Sequence, residues 1–386
     1  MSPASADIAI VGGGIVGSSI AYHLGVTGRA GRVVVIEPDP TYEQAASPSG
    51  SGGIRQLFSL PENIAMAQYG LGFYRDFETT MAIDGEAAPI SFRRQGYLFL
   101  SDAGGAAQME ANFRRQSGLG VEAELLSPAE IGARFPSLRT DDVALGVYSH
   151  EDAWIDANDG LQGFRRKARS LGVDYLQDRV TAIDVGGGLG LASGQRLAAD
   201  KVVVAAGAWS AEVASLVGWR LPIEPMSREN HFFRAEDEIE PLSFVKTESD
   251  LAFRPEGRGY TGGVPDWSVA PGWNFELSAD YFERVVWPAL AHRVPAFERL
   301  RLERSWRCHY ARSRLDLSPI IGAWAGGSER LFVASGFSGH GIMHAPATGR
   351  AMAELLLDGS YASIDLARFG YQRVLDNAPY GEEGII

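Results

Sequence analysis

The sequence predicts an α/β fold of about two domains, the first built on a parallel β-α-β unit. The chain has 386 residues, which is longer than one ordinary hydrophobic core supports. Near its start, a β-branched run, a Gly-rich turn and a helix-periodic segment follow one another as DIAIVGGGIVGSSIAYHLG. A second succession of apolar strand, Gly-rich turn and helix occupies residues 330–359. Two such units indicate a sheet with helices packed on it.

The amino-acid composition argues against several partners and structural features. The net charge of −13 predicts a surface that repels nucleic acid and anionic membranes. Cys308 is the only cysteine, so no intrachain disulfide can form and a thiolate metal site is excluded. No apolar run reaches the roughly 18–20 residues of a membrane span, and the first residues lack the basic region of a signal peptide. We expect a cytoplasmic protein with no metal.

The first Gly-rich turn has the spacing G-x-G-x-x-G. Gly12 permits a tight turn, Gly14 lets the backbone approach a pyrophosphate, and Gly17 lets the helix pack close to the strand. The helix N-terminus then faces the phosphates. The next apolar run, RVVVIE, ends in Glu37, which is placed to accept hydrogen bonds from a ribose hydroxyl. These features predict a dinucleotide site without distinguishing NAD from FAD.

The segment that follows, SPSGSGGIRQLF, is rich in small residues and contains Arg55. With it, the chain resembles the D-amino-acid oxidase, glycine oxidase and sarcosine oxidase superfamily of FAD enzymes. In that superfamily, a Ser- and Gly-rich stretch ending near an Arg passes beside the flavin. For this segment alone, a flexible linker is the alternative. The resemblance covers essentially the whole chain.

The resemblance implies two domains. One is a Rossmann-like FAD-binding domain of the glutathione-reductase type, and the other is an α+β substrate domain with an antiparallel sheet. The segments LPIEPMSRENHFF and LAFRPEGRGYTGGVP look like strands of that sheet, and KARSLGVDYLQDRVTAIDV looks like a helix followed by a strand. The implied FAD-binding domain comprises residues 1–85, 150–215 and 318–386, and the substrate domain comprises residues 86–149 and 216–317.

The resemblance also implies a set of FAD contacts. The adenine would meet backbone near Val180, and a buried strand ending at Gly207 would return beside the phosphates. The motif GFSGHG would run past the pyrimidine edge of the flavin, as in monomeric sarcosine oxidase and a mitochondrial complex I assembly factor with the same fold. Its N–H groups and the helix end would stabilise negative charge on the reduced ring. A second, independent nucleotide site is disfavoured because no acid-terminated strand follows. The implied FAD-contacting residues are Gly12, Gly14, Ile15, Val16, Gly17, Glu37, Pro38, Ser47, Ser51, Gly52, Gly53, Arg55, Val180, Ala206, Gly207, Trp209, Gly336, Ser338, Gly339, His340, Gly341, Ile342 and Met343.

The substrate side is predicted from WRCHYARSRLDLSPIIG, in which an aromatic residue, a His and three arginines precede a segment that the resemblance places near the flavin. Relatives often bind a substrate carboxylate with an Arg or Lys, and a bidentate Arg suits that task. Surface arginines and structural histidines are common, however. The predicted catalytic residues are His309, Arg312, Arg314 and His340, with Arg307 and His344 as further candidate contacts.

Some positions depart from sarcosine oxidase. Its carboxylate-binding basic pair corresponds here to Phe58 and Met343, which argues against sarcosine as the substrate. Its oxygen-activating lysine corresponds to Thr261, and Lys246 is the only nearby lysine. A positive charge beside the flavin helps to stabilise superoxide. A dehydrogenase that passes electrons to another acceptor is therefore as well supported as an oxidase.

Cys308 raises the question of a covalent flavin. In monomeric sarcosine oxidase, a Cys in a C-x-Y motif bonds to the 8-methyl carbon of the ring. Here one extra residue separates Cys308 from Asp316, and a one-residue shift along a strand turns a side chain to the other face. Only a bulge within residues 311–314 would restore the register. We therefore predict non-covalent FAD, with His309 in that cysteine's place and Cys308 pointing away. The alternative is a covalent link at Cys308.

The predicted function is oxidation of the C–N bond of a small amine or amino acid, preferably a secondary amine, by an FAD-dependent enzyme. A hydride would pass to flavin N5, the resulting imine would hydrolyse, and oxygen or another acceptor would take the electrons. Two alternatives remain. One is a non-catalytic flavoprotein that assists assembly of a larger complex, and the other is the catalytic subunit of a multi-subunit amine or opine dehydrogenase. Substrate identity and oligomeric state are left open.

Overall fold

The computed structural model of the protein describes residues 4–325 and 329–385. The chain alternates between helices and strands from its first residues onwards. The helices are α1 (Ile15–Thr27), α2 (Ala46–Ser49), α3 (Pro61–Arg75), α4 (Phe77–Thr80), α5 (Ala106–Gly118), α6 (Pro128–Arg134), α7 (Ala157–Ser170), α8 (Ser210–Ser215), α9 (Trp287–Arg293), α10 (Gly341–Asp358) and α11 (Gln372–Leu375). None of these helices is long and apolar enough to cross a bilayer.

The first sheet is largely parallel. Its central strand β1 pairs in parallel with β2 and β12, β2 pairs with β9, and β12 pairs with β19. The four residues 33–36 of β2 are all buried, as expected where helices cover both faces of a parallel sheet. Strands β10, β11 and β18 complete its edges in antiparallel pairing. The strands are β1 (Ala4–Val11), β2 (Val33–Glu37), β9 (Asp174–Gln177), β10 (Val180–Ile183), β11 (Gly188–Leu191), β12 (Arg196–Val204), β18 (Ile320–Ala323) and β19 (Leu331–Ser335).

The second sheet has the strand order β17-β13-β16-β15-β14-β5-β7-β6. Its pairs are antiparallel except that β14 runs parallel to β5. The strands are β5 (Tyr97–Ser101), β6 (Glu124–Leu126), β7 (Leu145–Ser149), β13 (Ile223–Ala235), β14 (Phe244–Thr247), β15 (Ala252–Glu256), β16 (Gly259–Gly263) and β17 (Leu300–Ser313). A small third sheet of β3 (Gly53–Ile54), β8 (Ala153–Trp154) and β4 (Arg93–Arg94) lies where the chain crosses between the two.

The predicted fold class is confirmed: a Rossmann-like sheet is combined with a second domain whose sheet is mainly antiparallel. The strands of the first sheet all fall within residues 1–85, 150–215 and 318–386, although the domain boundaries themselves stay a prediction. Two details differ from the sequence interpretation. The strand expected after α7 is divided into β9 and β10 because Asp178 turns the chain, its carboxylate accepting from the N–H groups of Arg179 and Ser193. Strand β12 ends at Val204, ahead of the predicted Gly207.

Candidate functional site

A cavity of about 870 Å³ lies between the carboxyl ends of the parallel strands and one face of the second sheet. Both Gly-rich turns and the Ser- and Gly-rich segment after β2 line this cavity. The two turns, separated by more than three hundred positions in the chain, therefore belong to one site. This is the location at which open α/β sheets bind nucleotides.

The first Gly-rich turn leaves room for a ligand rather than for side chains. Gly12 has a φ of +106°, and a Cβ there would lie 2.5 Å from the carbonyl oxygen of Ala205. A Cβ on Gly17 would overlap the carbonyl oxygen of Gly12. At Gly14, by contrast, a Cβ would meet only the Ser47 hydroxyl, at 3.5 Å. Gly14 is thus not required by packing within the protein, which is what a position kept open for a phosphate would show.

Glu37 is held in place at the end of β2. One carboxylate oxygen accepts from the N–H of Gly13 at 2.8 Å, and the other accepts from the N–H of Asp39 at 3.0 Å. Burial raises the pKa of this carboxyl above its ordinary value. The side chain lines the cavity beside the turn, where the sequence places a ribose contact.

The second Gly-rich turn packs against the substrate sheet. Gly339 has a φ of +104°, and a Cβ on it would lie 2.7 Å from the ring of Tyr310. Helix α10 begins two residues later, and Gly341, Ile342 and Met343 of its first turn line the cavity. The first N–H groups of a helix lack intrahelical acceptors, so this end offers donors and a positive dipole to a ligand.

Arg55 connects the Ser- and Gly-rich segment to this second turn. Its Nη2 lies 3.1 Å from Nε2 of His340, and its Nη1 donates to the carbonyl of Leu57 at 2.6 Å. A guanidinium can only donate, so His340 accepts on Nε2 and carries its proton on Nδ1. Burial, and then the neighbouring Arg55, hold the pKa of His340 well below its ordinary value. His340 is therefore a neutral imidazole in the cavity wall.

Most of the predicted FAD-contacting residues lie in the cavity wall, and two lie beneath it. Gly17 and Gly336 are the exceptions, because they pack directly under the turns. Gly336 has a φ of +80°, and a Cβ there would meet the side chain of Ile223 at 3.3 Å. The individual contacts stay predictions, but the chain brings the remaining set into one connected space.

The three candidate arginines of β17 have different environments. Arg307 is buried in an ion pair with Glu229, and Arg312 lines the cavity with a nitrogen 3.4 Å from Glu224. Arg314 is exposed and does not line the cavity, because β17 ends at Ser313 and the chain turns away there. The structure therefore does not bring Arg314 to the predicted substrate site.

Cys308 lies on β17, which pairs with β13 in antiparallel fashion. The pairing is regular from Ile223–Ser313 to Phe232–Arg304, so no bulge lies within residues 311–314. His309 lines the cavity as expected, and its ring also packs against Trp273 and Phe275. Cys308 lies on the same strand face as the cavity-lining Tyr310. His309 Nε2 accepts from the N–H of Asn274 at 3.0 Å.

Cys308 itself does not line the cavity. It is 2% exposed, and burial raises the pKa of its thiol to about 12. The residue opposite it on β13 is Arg228, which does line the cavity. A buried thiol of this kind stays protonated and is a poor nucleophile.

The sequence interpretation missed Arg228 and the residues around it. Its guanidinium lies 4.3 Å from the ring centroid of Trp267 and 5.4 Å from that of Tyr310. Tyr97 and Phe244 stack on each other farther along the same wall, with centroids 4.3 Å apart. Alternation along β13 would have identified Arg228, but only once the face turned to the cavity was known.

Thr261 and Lys246 both line the cavity, on strands separated by β15. Thr261 is buried, at the position where the resemblance expects an oxygen-activating lysine. Burial, and then the positive charge of Arg55, lower the pKa of Lys246 to about 7. Lys246 thus places a cationic group of pH-dependent charge in the cavity wall, on a different strand from the expected position.

The comparison with known families settles the class of protein. Residues 7–355 match the family model described as "FAD dependent oxidoreductase". The chain belongs to this family. FAD is the family's cofactor, and the open turn at Gly14, the donors of α10 and the continuous cavity fit such an elongated dinucleotide.

Relatives of this FAD-dependent oxidoreductase match it over nearly its whole length. It is 36% identical to the "FAD-dependent oxidoreductase domain-containing protein 1" of Xenopus laevis, covering 100% of this chain and 86% of the relative. It is 27% identical to the sarcosine oxidase subunit beta of Rhizobium meliloti, covering 98% of this chain and 91% of that subunit.

Solved structures share its fold. The L-proline dehydrogenase of P. horikoshii superposes with a TM-score of 0.88 at 24% identity, covering 98% of this chain and 100% of the dehydrogenase. The glycine oxidase of Geobacillus kaustophilus gives a TM-score of 0.82 at 24% identity, covering 95% and 98% of the two chains. At this level of identity the likeness shows the fold.

Proposed function

We propose that this FAD-dependent oxidoreductase oxidises the C–N bond of a small amine or amino acid, preferably a secondary amine. The observation that carries the proposal is the continuity of the cavity. Beyond the two Gly-rich turns it extends to the second sheet, where Tyr97, Phe244 and Tyr310 form an apolar wall next to Arg228 and Lys246. When bound, FAD supplies a hydride acceptor at N5, and the substrate is left as an imine that water hydrolyses.

The chain's own contribution is orientation and charge. The aromatic wall suits the carbon part of a small substrate, and the cations beside it suit an anionic group. Burial lowers the pKa of Lys246 to about 7, so the positive charge that this group places beside the substrate depends on pH in the neutral range. The donors at the start of α10 can stabilise negative charge that develops during the reaction.

Names of relatives support this substrate class. The chain is 25% identical to the 4-methylaminobutanoate oxidase of Paenarthrobacter nicotinovorans and 26% identical to the glycine oxidase of Geobacillus kaustophilus. The match to the 4-methylaminobutanoate oxidase spans only 46% of that oxidase's length. The sarcosine oxidase subunit beta keeps the subunit alternative open, and an assembly role stays the other alternative.

Anaerobic bleaching tests the proposal. Purified, FAD-loaded protein is mixed without oxygen with secondary amines, primary amines and amino acids, and the flavin absorbance is followed. If at least one of these compounds bleaches the flavin, the result supports the proposed reaction and shows that the chain needs no other subunit for it. If dithionite bleaches the flavin but none of the compounds does, the catalytic proposal fails and the assembly or subunit alternatives replace it.

A further inference from the structure

We infer that Arg228 binds a carboxylate of the substrate, and that Trp267 and Asp250 position its guanidinium for this. The inference rests on the proposed function, and it narrows the substrate class to amino acids over simple amines.

The first argument is the lack of a counter-ion. On the neighbouring strand, Arg307 and Arg312 each pair with a glutamate of β13. Arg228 has no carboxylate oxygen within 4.0 Å among residues 4–325 and 329–385, although the charge of Asp250 acts on it from farther away, and the residue opposite it is the uncharged Cys308. Its Nη1 donates to the carbonyl of Ser227 at 3.0 Å. A half-buried cation without a carboxylate is costly, and an anion entering the cavity would relieve that cost.

The second argument is the way the guanidinium is held. Trp267 and Tyr310 contact it through their rings, an arrangement that favours a cation and fixes its plane. Within residues 4–325 and 329–385, the guanidinium donates a hydrogen bond only from Nη1, to the carbonyl of Ser227. Its remaining N–H groups can therefore donate to a carboxylate.

The third argument concerns Asp250, the acid beside this cluster. Its carboxylate accepts a hydrogen bond from Nε1 of Trp267 at 2.7 Å, and both residues line the cavity. Asp250 adopts a φ of 64°, which is unusual for a residue other than glycine. Trp267 is 52% exposed, so without this bond its indole would have little to hold it over Arg228. Asp250 is thus a positioning residue that acts through Trp267.

Other polar groups line the same space: the cations Lys246 and Arg312, the carboxylates Asp250 and Glu229, and the neutral Asn230. Glu229 and Arg312 are engaged in ion pairs, and Asp250 accepts from Trp267. Arg228 is therefore the cation in this part of the wall that we assign to an anionic group of the ligand. The aromatic wall lies next to Arg228 and suits the carbon chain. A cation for the carboxylate beside an aromatic wall for the carbon chain favours an amino acid over an alkylamine.

The test uses ligand binding as well as turnover. FAD-loaded protein is titrated with pyrrole-2-carboxylate and with its carboxamide, and binding is read from the change in the flavin spectrum. Wild-type protein is compared with Arg228→Met, Arg228→Lys and Trp267→Phe. Arg234→Met is the control, because Arg234 lies on the same strand but is exposed and outside the cavity.

We expect Arg228→Met to weaken carboxylate binding by roughly 10- to 100-fold, the loss of a charged hydrogen-bonding partner. Arg228→Lys should fall between that variant and wild type, and Trp267→Phe should weaken binding a few fold. The carboxamide should bind weakly to wild type and to every variant. If Arg228→Met does not hold FAD, Arg228→Lys is used in its place, because it keeps the positive charge but loses the bidentate guanidinium. Equal carboxylate binding by the Arg228 variants and Arg234→Met overturns the inference.

Anaerobic reduction separates this inference from the proposed function. L-Proline and pyrrolidine are compared, along with sarcosine and dimethylamine, as pairs that differ by the carboxylate. If the amino acid and the amine of a pair bleach the flavin equally well, and Arg228→Met does not change the rates, the proposed function stands and the inference is overturned. Carboxylate binding that depends on Arg228, without bleaching by any amine, supports the binding site and removes the proposed function.

Discussion

The Nη2 atom of Arg55 lies 3.1 Å from Nε2 of His340, although the two residues are 285 positions apart in the chain. This contact joins the Ser- and Gly-rich segment to the second Gly-rich turn. It also forces His340 to stay neutral, since a second positive charge beside the buried guanidinium would be repelled. His344, one helical turn farther along α10, is buried near the same arginine, and its pKa is lowered to about 3.

The first prediction follows from these histidines. A His whose pKa is lowered on folding binds fewer protons in the folded state than in the unfolded state below about pH 6.5. Stability is therefore lost as the pH falls below that value, by up to about 1.4 kcal/mol per pH unit for each such group. Urea unfolding of FAD-loaded protein at pH 7 and pH 5 should show this loss, and His344→Leu should reduce it.

Asp152 acts in the opposite sense, because burial raises the pKa of its carboxyl to about 6. The difference between wild type and His344→Leu removes that contribution, since both proteins contain Asp152. An identical pH dependence in the two proteins would contradict the assignment of a neutral, buried His344.

The second prediction contrasts two glycines of the first turn. Gly14→Ala should fold normally, because the new Cβ meets only the Ser47 hydroxyl at 3.5 Å, but it should bind FAD weakly. Gly17→Ala should destabilise the protein itself, because its Cβ overlaps the Gly12 carbonyl. Thermal unfolding with and without added FAD distinguishes the two effects. A Gly14→Ala protein that retains FAD as wild type does would contradict the placement of the phosphates.

A third variant concerns Glu37. Replacing it by Ala should lower FAD retention by roughly 1–3 kcal/mol, the cost of leaving buried polar groups without a partner. Dialysis followed by measurement of bound flavin gives this value. An acid extract of wild-type protein should contain FAD, and one that held NAD or FMN instead would refute the dinucleotide assignment.

The fold and the cofactor turns could be predicted because their signals are local. Glycine spacing, an acid-terminated strand and apolar runs report directly on turns and buried strands. The substrate wall could not be predicted in the same way. Which face of β13 or β17 meets the cavity depends on pairing between distant strands, so Arg314 was predicted at the wall, where the structure does not place it, whereas Arg228 was missed. Ion pairs between distant residues could not be predicted either, since Glu229 lies 78 positions before its partner Arg307.

Oxygen reactivity gives the next prediction. Because Thr261 stands in the cavity wall where the oxidase lysine is expected, reduced protein should react slowly with oxygen compared with an artificial electron acceptor. Stopped-flow mixing measures both rates, and Thr261→Lys should increase the oxygen rate. Rapid formation of peroxide by wild type would show instead that Lys246 serves this purpose, and Lys246→Met should then abolish it.

Cys308→Ser should retain its flavin. The thiol is buried, is absent from the cavity wall and has a pKa raised to about 12, so it is not suited to bond to the 8-methyl carbon of the flavin. Precipitation of the wild-type protein with acid decides the matter. A colourless pellet with yellow supernatant indicates non-covalent FAD, whereas colour retained in the pellet means that the flavin is covalently attached.

The central claim is that the cavity joining the two Gly-rich turns catalyses removal of a hydride from the carbon next to a substrate nitrogen. The most direct measurement is anaerobic bleaching by a reactive amine or amino acid, compared with the same compound deuterated at that carbon. We predict that deuteration slows the bleaching while the spectrum of the oxidised complex stays the same. Bleaching at equal rates with both compounds, or no bleaching by any amine, would contradict the account.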